Sequence, residues 1–272
     1  MTINCKGKLI DLATPKIMGI LNITPDSFYD GGNYQNRAAV ISQVQTMTAQ
    51  GATFIDVGGY SSRPDADDVS VNEELKRVIP IIELILNEYP ATLISVDTFR
   101  SQVAQQAIAA GACMVNDISA GHLDEEMIKT VANLKVPYVM MHMRGNPKTM
   151  KSFTNYSDLV KDIIFYFSER ITHARALGIV DLIIDPGFGF AKTLEQNYEL
   201  LNKFELLKMM DLPLLAGLSR KSMIYKTLNS SSEDALNGTS VLNTIALQKG
   251  ANILRVHDVK EAMECVTLTQ QL

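Results

Sequence analysis

A chain of 272 residues, 46% of them hydrophobic, can bury one large core. Its net charge of −5 argues against nucleic acid or an anionic membrane as the default partner, so any anionic substrate needs a local basic cluster. Cys5, Cys113 and Cys265 are odd in number and far apart, no secretory leader pattern opens residues 1–12, and no apolar run is long enough to span a bilayer; together these read as a reduced, cytoplasmic protein.

Residues 5–12 read as a short β piece outside the main repeat. The apolar run 17–23 reads as a buried strand that carries Asn22 and breaks at Thr24-Pro25 into a polar loop containing Gly31-Gly32. A helix over 38–50 follows, stopped by Gly51. The alternation then repeats: strand 53–57 and helix 71–87, strand 92–96 and helix 101–110 before Gly111, strand 113–118 and helix 124–133. Strand 138–141 precedes a helix with Leu159, Ile163, Phe167, Ile171 and Ala174 at nearly i+4 spacing, ending at Gly178. Strand 182–185 and helix 193–210 come next, then strand 214–218 with helices 221–228 and 233–248, then strand 253–256 and helix 259–268.

Continuous apolar strands suit a parallel sheet covered on both faces. Eight of them alternating with eight helical units predict an α/β fold: a (β/α)8 TIM barrel forming a single domain over 1–272, with the N-terminal β piece closing its bottom. A doubly wound open sheet competes. It usually has fewer strands and a glycine-rich first turn, whereas this first turn is Asn22-Ile23-Thr24-Pro25-Asp26.

In such a barrel the site lies where the strands end. The ends offer Asn22; Ser61, Ser62 and Arg63; Asp97; Asn116 and Asp117; His142 and Arg144; Asp185; Ser219, Lys221 and Ser222; and Arg255 with His257. Each has a plain alternative. An Asp after a strand often caps a helix. Asp117 faces away from Asn116 and reads as structural. His142 and Met140 read equally well as core, and His122 and His173 as surface or helix residues. Apolar burial, however, does not require a polar group at nearly every strand end.

These groups sort into two chemistries. Arg63, Arg255, His257, Asn22, Ser61 and Ser62 suit a phosphate or diphosphate, with the amide able to meet a phosphate-bound Mg²⁺. Asp97, Asn116, Asp185 and Lys221 suit a flat polar heterocycle, because a buried carboxylate matches adjacent N–H donors such as those of a 2-amino-pyrimidinone.

The motifs MGILNITPDSF at 18–28, DVGGxSxRP at 56–64, SVDT at 95–98, VNDIS at 115–119, DPGFGF at 185–190, SRKS at 219–222 and RVHD at 255–258 occur in order. The chain resembles the dihydropteroate synthase family from about Lys16 to His257. That resemblance implies the joining of 6-hydroxymethyl-7,8-dihydropterin diphosphate to 4-aminobenzoate, with release of pyrophosphate. It implies Asp97, Asn116, Met140, Asp185 and Lys221 around the dihydropterin. Asn22, Ser62, Arg63, Arg255 and His257 would hold the diphosphate, with Mg²⁺ as cofactor at Asn22. Phe28, Pro64, Phe190, Lys221 and Ser222 would line the 4-aminobenzoate site. Asp97, Arg63, Lys221, Arg255 and His257 would carry the chemistry.

The resemblance also implies sulfonamide inhibitors, and a homodimer formed through the helices of 233–248 and 259–268. No residue has the partners of a covalent nucleophile, which favours a dissociative path. Two departures stand out: Tyr60 replaces a usual glutamate and Asp65 a usual glycine. They motivate one alternative, a pterin-binding paralogue without turnover. A folate-binding methyltransferase barrel is the other; it should lack the TPDSF, SRP and RVH features.

Overall fold

The computed structural model describes residues 1–23, 34–61 and 69–272, the stretch 34–36 by its backbone alone. The chain opens with an antiparallel hairpin, β1 (Thr2–Cys5) and β2 (Lys8–Asp11). Lys6 and Gly7 both have positive φ at its turn, the conformation that suits the twist of a two-residue hairpin. The predicted single β piece is thus two strands.

Eight parallel strands follow: β3 (Lys16–Asn22), β4 (Phe54–Gly58), β5 (Leu93–Asp97), β6 (Met114–Asp117), β7 (Tyr138–Met141), β8 (Leu182–Asp185), β9 (Leu215–Ala216) and β10 (Ile253–Val256). Their spatial order is β8-β7-β6-β5-β4-β3-β10-β9. A parallel bridge from Ile184 to Leu214, with Ile184 N donating to Pro213 O at 3.0 Å, joins the two ends of that order. This closure excludes the open doubly wound sheet.

The helices are α1 (Tyr34–Ala49), α2 (Val71–Glu88), α3 (Ser101–Ala109), α4 (Met127–Leu134), α5 (Leu159–Ala176), α6 (Leu194–Asn202), α7 (Ser222–Thr227), α8 (Leu236–Gln248) and α9 (Val259–Thr269). Ser70, Asp158 and Thr193 cap α2, α5 and α6 with side-chain oxygens, each satisfying a first-turn N–H. The predicted helix over 193–210 is shorter than expected. It breaks at Lys203, and a 3-10 segment, Phe204–Met210, turns Phe204 and Leu207 into the core.

Alternation along each strand separates two cores. Ile17, Leu21, Ile55, Val57, Ile94, Val96, Val115 and Ile184 face outward and pack under the helices. Met18, Phe54, Met114, Val139, Ile183, Leu215 and Ile253 face inward and meet Ile3, Cys5, Ile10 and Leu12 of the hairpin. The hairpin therefore plugs the barrel bottom, as expected, and leaves the C-terminal strand ends open for chemistry. The three cysteines are buried free thiols. No helix among the described residues is long and apolar enough to cross a membrane.

Candidate active site

Register places the site residues at one level. Asn22 of β3 pairs with Gly58 of β4, Gly58 with Asp97 of β5, and Asp97 with Asn116 of β6. Gly58 contributes no side chain there; a Cβ would sit 3.3 Å from the Cβ of Asp97. Across the barrel, Met141 of β7 pairs with Asp185 of β8.

Arg255 enters from β10 and spans the floor of this level. Its Nε donates to Asp56 Oδ2 and its Nη2 to Asp97 Oδ2, each at 2.6 Å. Asn116 Nδ2 donates to the same Asp56 oxygen at 3.0 Å. Burial works against the Arg255 charge, but Asp56 and Asp97 outweigh it and hold the guanidinium above its ordinary pKa. For Asp97 burial wins. It pushes the carboxyl up to about 7 against the pull of Arg255, and Asp56, Glu74 and Asp117 add to the rise.

Facing this group are Asp185 and Lys221. Asp185 Oδ1 accepts from Gly187 N at 2.8 Å. Burial raises its pKa, with Lys221 opposing. The Lys221 amine donates to Phe188 O and lies 5.0 Å from the Phe190 ring centroid. Burial lowers its pKa to about 8, against the pull of Asp185. Gly217 lies beside both, at a position where a Cβ would be in ordinary contact with Asp185 Oδ2 at 3.8 Å and Lys221 Nζ at 3.9 Å. Gly187 is required for a different reason: its φ is 71°, and a Cβ would overlap the His142 carbonyl.

The barrel mouth is therefore a poorly solvated cluster of carboxylates with one amide and one amine. Such a set matches a flat heterocycle that offers N–H donors at one edge and a carbonyl or ring nitrogen at another.

Residues 18–257 match the family model described as pterin binding enzyme. The dihydropteroate synthase of Escherichia coli (strain K12) is 42% identical over 273 residues, covering 99% of this chain and 96% of that protein. The chain belongs to the dihydropteroate synthase family. Two solved members of the family superpose closely. The Yersinia pestis dihydropteroate synthase with a sulfonamide drug complex has a TM-score of 0.93 at 41% identity, covering 100% of this chain and 98% of that one. The Xanthomonas albilineans dihydropteroate synthase with 4-aminobenzoic acid has a TM-score of 0.91 at 40% identity, covering 99% and 97%.

In this member of the dihydropteroate synthase family, the expected heterocycle set Asp97, Asn116, Asp185 and Lys221 lies together at the C-terminal ends of the strands, with one correction. Met140 does not join it. Strand alternation turns Met140 outward into the helix-facing core with Val115, Phe167 and Ile184, and the inward position belongs to Met141. Asp117 is outward too and is held locally, accepting from Tyr138 Oη, Ser119 N, Ser119 Oγ and Gly121 N at 2.7–2.8 Å.

At the rim, Asn22 is exposed at the end of β3. His257 Nδ1 lies 3.0 Å from Ser219 Oγ, and Ser222 opens α7 directly after Lys221. Phe28, Ser62, Arg63, Pro64 and Asp65 lie outside the described residues. Tyr60 is described: its ring stands edge-on to Phe99 at 5.1 Å, and Arg100 lies over both rings while pairing with buried Glu74 at 2.6 Å.

Two residues escaped sequence reasoning. Asp56 is fully buried beneath this cluster; it opens the DVGG motif, and its alternation with Phe54 and Gly58 would have placed it inward. Lys192 is buried against His142 Nδ1, Gly187 O and Phe190 O at 2.9–3.1 Å and so anchors the 187–190 loop. Burial drives both Lys192 and His142 well below their ordinary pKa values. A lysine after an Ala in a loop carries no sequence signal for such burial.

Proposed function

We propose that the protein condenses 6-hydroxymethyl-7,8-dihydropterin diphosphate with 4-aminobenzoate to give 7,8-dihydropteroate and pyrophosphate, in folate synthesis. The observation that carries this is the placing of Asp185 and Lys221 with Asp97 and Asn116 at the buried C-terminal ends of the strands, with Arg255 between the two pairs. Asp185, raised in pKa and short of solvent, takes the adjacent N–H donors of the pterin's 2-amino-pyrimidinone edge. Lys221 meets the ring carbonyl or nitrogen, and Met141 supplies apolar contact. Asp97 accepts a ring N–H on the opposite edge and so stabilises positive charge on the ring.

Substitution occurs at the exocyclic CH₂. The C–O bond breaks, and its electron pair leaves with pyrophosphate. The amine nitrogen then bonds to the carbon and gives up a proton to solvent. The weak arylamine nucleophile favours bond breaking first. Arg255, Arg63 and His257 stabilise the departing charge, with Asn22 and Ser62 positioning the diphosphate. Phe190, Ser222, Phe28 and Pro64 form the 4-aminobenzoate side, where a sulfonamide would compete.

Mg²⁺ fits this donor set in one way. Among the described residues no cluster of carboxylates, His or Cys could cage a metal, so the ion would take its other ligands from diphosphate oxygens and water, with Asn22 supplying one amide oxygen. Bound there, it neutralises charge on the leaving group.

A homodimer through α8 and α9 is part of the same reading. These helices pack together and carry exposed Val241 and Leu268. The buried free thiols support a cytoplasmic setting. The pterin assignment is tested by calorimetry with 6-hydroxymethylpterin: binding lost in Asp185→Asn supports it, and unchanged binding removes it.

A further inference from the structure

Asp56 is fully buried, yet among the described residues no group of its own strand or turn holds its carboxylate. Among the described residues its Oδ2 accepts from two groups, Arg255 Nε and Asn116 Nδ2, which come from opposite strands of the barrel. Among the described residues its Oδ1 is buried without a hydrogen-bond partner, as is Ser95 Oγ on the strand position paired with it. Asp117, equally buried, makes the contrast. Its four bonds go to its own turn and a neighbouring core tyrosine. A carboxylate that is buried at a cost and tethered only to site residues serves the site.

We propose that Asp56 is a positioning residue for the pterin, fixing the Arg255 guanidinium and the Asn116 amide relative to Asp97 through one shared oxygen. A carboxylate has no proton to donate, so Asn116 must turn its Nδ2 toward Asp56. This decides which way round the amide presents its donor and acceptor to the site. Arg255 is held at Nε by Asp56 and at Nη2 by Asp97, so its plane is set from two sides. The negative charge of Asp56 also raises the Asp97 pKa, as do the more remote Glu74 and Asp117, against the opposing pull of Arg255.

The inference rests on the pterin assignment above, and two substitutions separate the two claims. Asp56→Ala removes the shared acceptor, and the KM for 6-hydroxymethyl-7,8-dihydropterin diphosphate should rise about 100-fold as two anchored ligand groups are released. Asp56→Asn keeps a carbonyl oxygen in the same place but removes the charge. It should restore KM to within about tenfold of wild type while moving the acidic limb of the kcat/KM profile about one pH unit lower. If Asp56→Ala does not fold, the shift in Asp56→Asn decides. A wild-type KM in Asp56→Ala, or an Asp56→Asn profile that superimposes on wild type, overturns the positioning role while leaving the activity intact. A wild-type protein that neither binds the pterin nor releases pyrophosphate overturns the functional reading itself.

Discussion

The guanidinium of Arg255 lies 2.6 Å from the carboxylate of Asp97, and in the proposed reading this joins the group that would face the diphosphate to the one that would face the pterin ring. On that reading the two ends of the bond to be broken would be coupled through one ion pair. Asp97 would stabilise the ring as it becomes cationic, and Arg255 the pyrophosphate as it becomes anionic.

Arg255→Ala should lose most turnover, a fall of about 10³ in kcat, and Arg255→Lys should recover little of it. A lysine presents its donors from one nitrogen and lacks the planar fork that reaches Asp56 through Nε and Asp97 through Nη2. Steady-state kinetics with a folded control by circular dichroism would check this. A near-normal rate for Arg255→Ala removes the diphosphate role.

The pH dependence follows from two shifted groups. Asp97 has its pKa raised to about 7, so the carboxylate form that accepts a ring N–H is lost as pH falls through that value. Lys221 is lowered to about 8, so its charge is lost as pH rises through it. The profile of kcat/KM for the pterin substrate should therefore be a narrow bell with limbs near these values. Asp97→Asn should abolish the acidic limb and Lys221→Arg the alkaline one.

The barrel was legible in the sequence because its causes are local and repeated. Runs such as 138–141 and 182–184 are apolar throughout, and glycines such as Gly51 and Gly111 stop the helices between them; both adopt positive φ. Asp97, Asn116, Asp185 and Lys221 were legible as strand-end groups. Met140 was misplaced because three neighbouring methionines look alike in composition, and only the register of β7 against β8 shows which one enters the barrel. Lys192 could not be read, since its burial depends on His142 and on the backbone of a loop folded over it.

Asp117→Asn should separate stability from activity. Its carboxylate accepts four bonds, two of them from the N–H groups of the 119–121 turn, and an amide cannot accept them all. A loss of about 2 kcal/mol in unfolding free energy is expected, with kcat/KM near wild type at 25 °C. Denaturant unfolding and steady-state kinetics on the same preparation would check both. A large drop in kcat with unchanged stability would place Asp117 in the chemistry instead.

Bond breaking before amine attack predicts isotope exchange. Substrate carrying ¹⁸O in the bridging position between CH₂ and the diphosphate should scramble that label into non-bridging positions during turnover, at low 4-aminobenzoate. No scrambling, with strictly second-order dependence on the amine, would favour direct displacement.

The central claim is tested most directly by incubating the purified protein with 6-hydroxymethyl-7,8-dihydropterin diphosphate, 4-aminobenzoate and Mg²⁺, and following both products together. The account predicts pyrophosphate and 7,8-dihydropteroate in equal amounts. Pterin binding with no release of pyrophosphate, or pyrophosphate release that yields only the hydroxymethyl pterin, would contradict it.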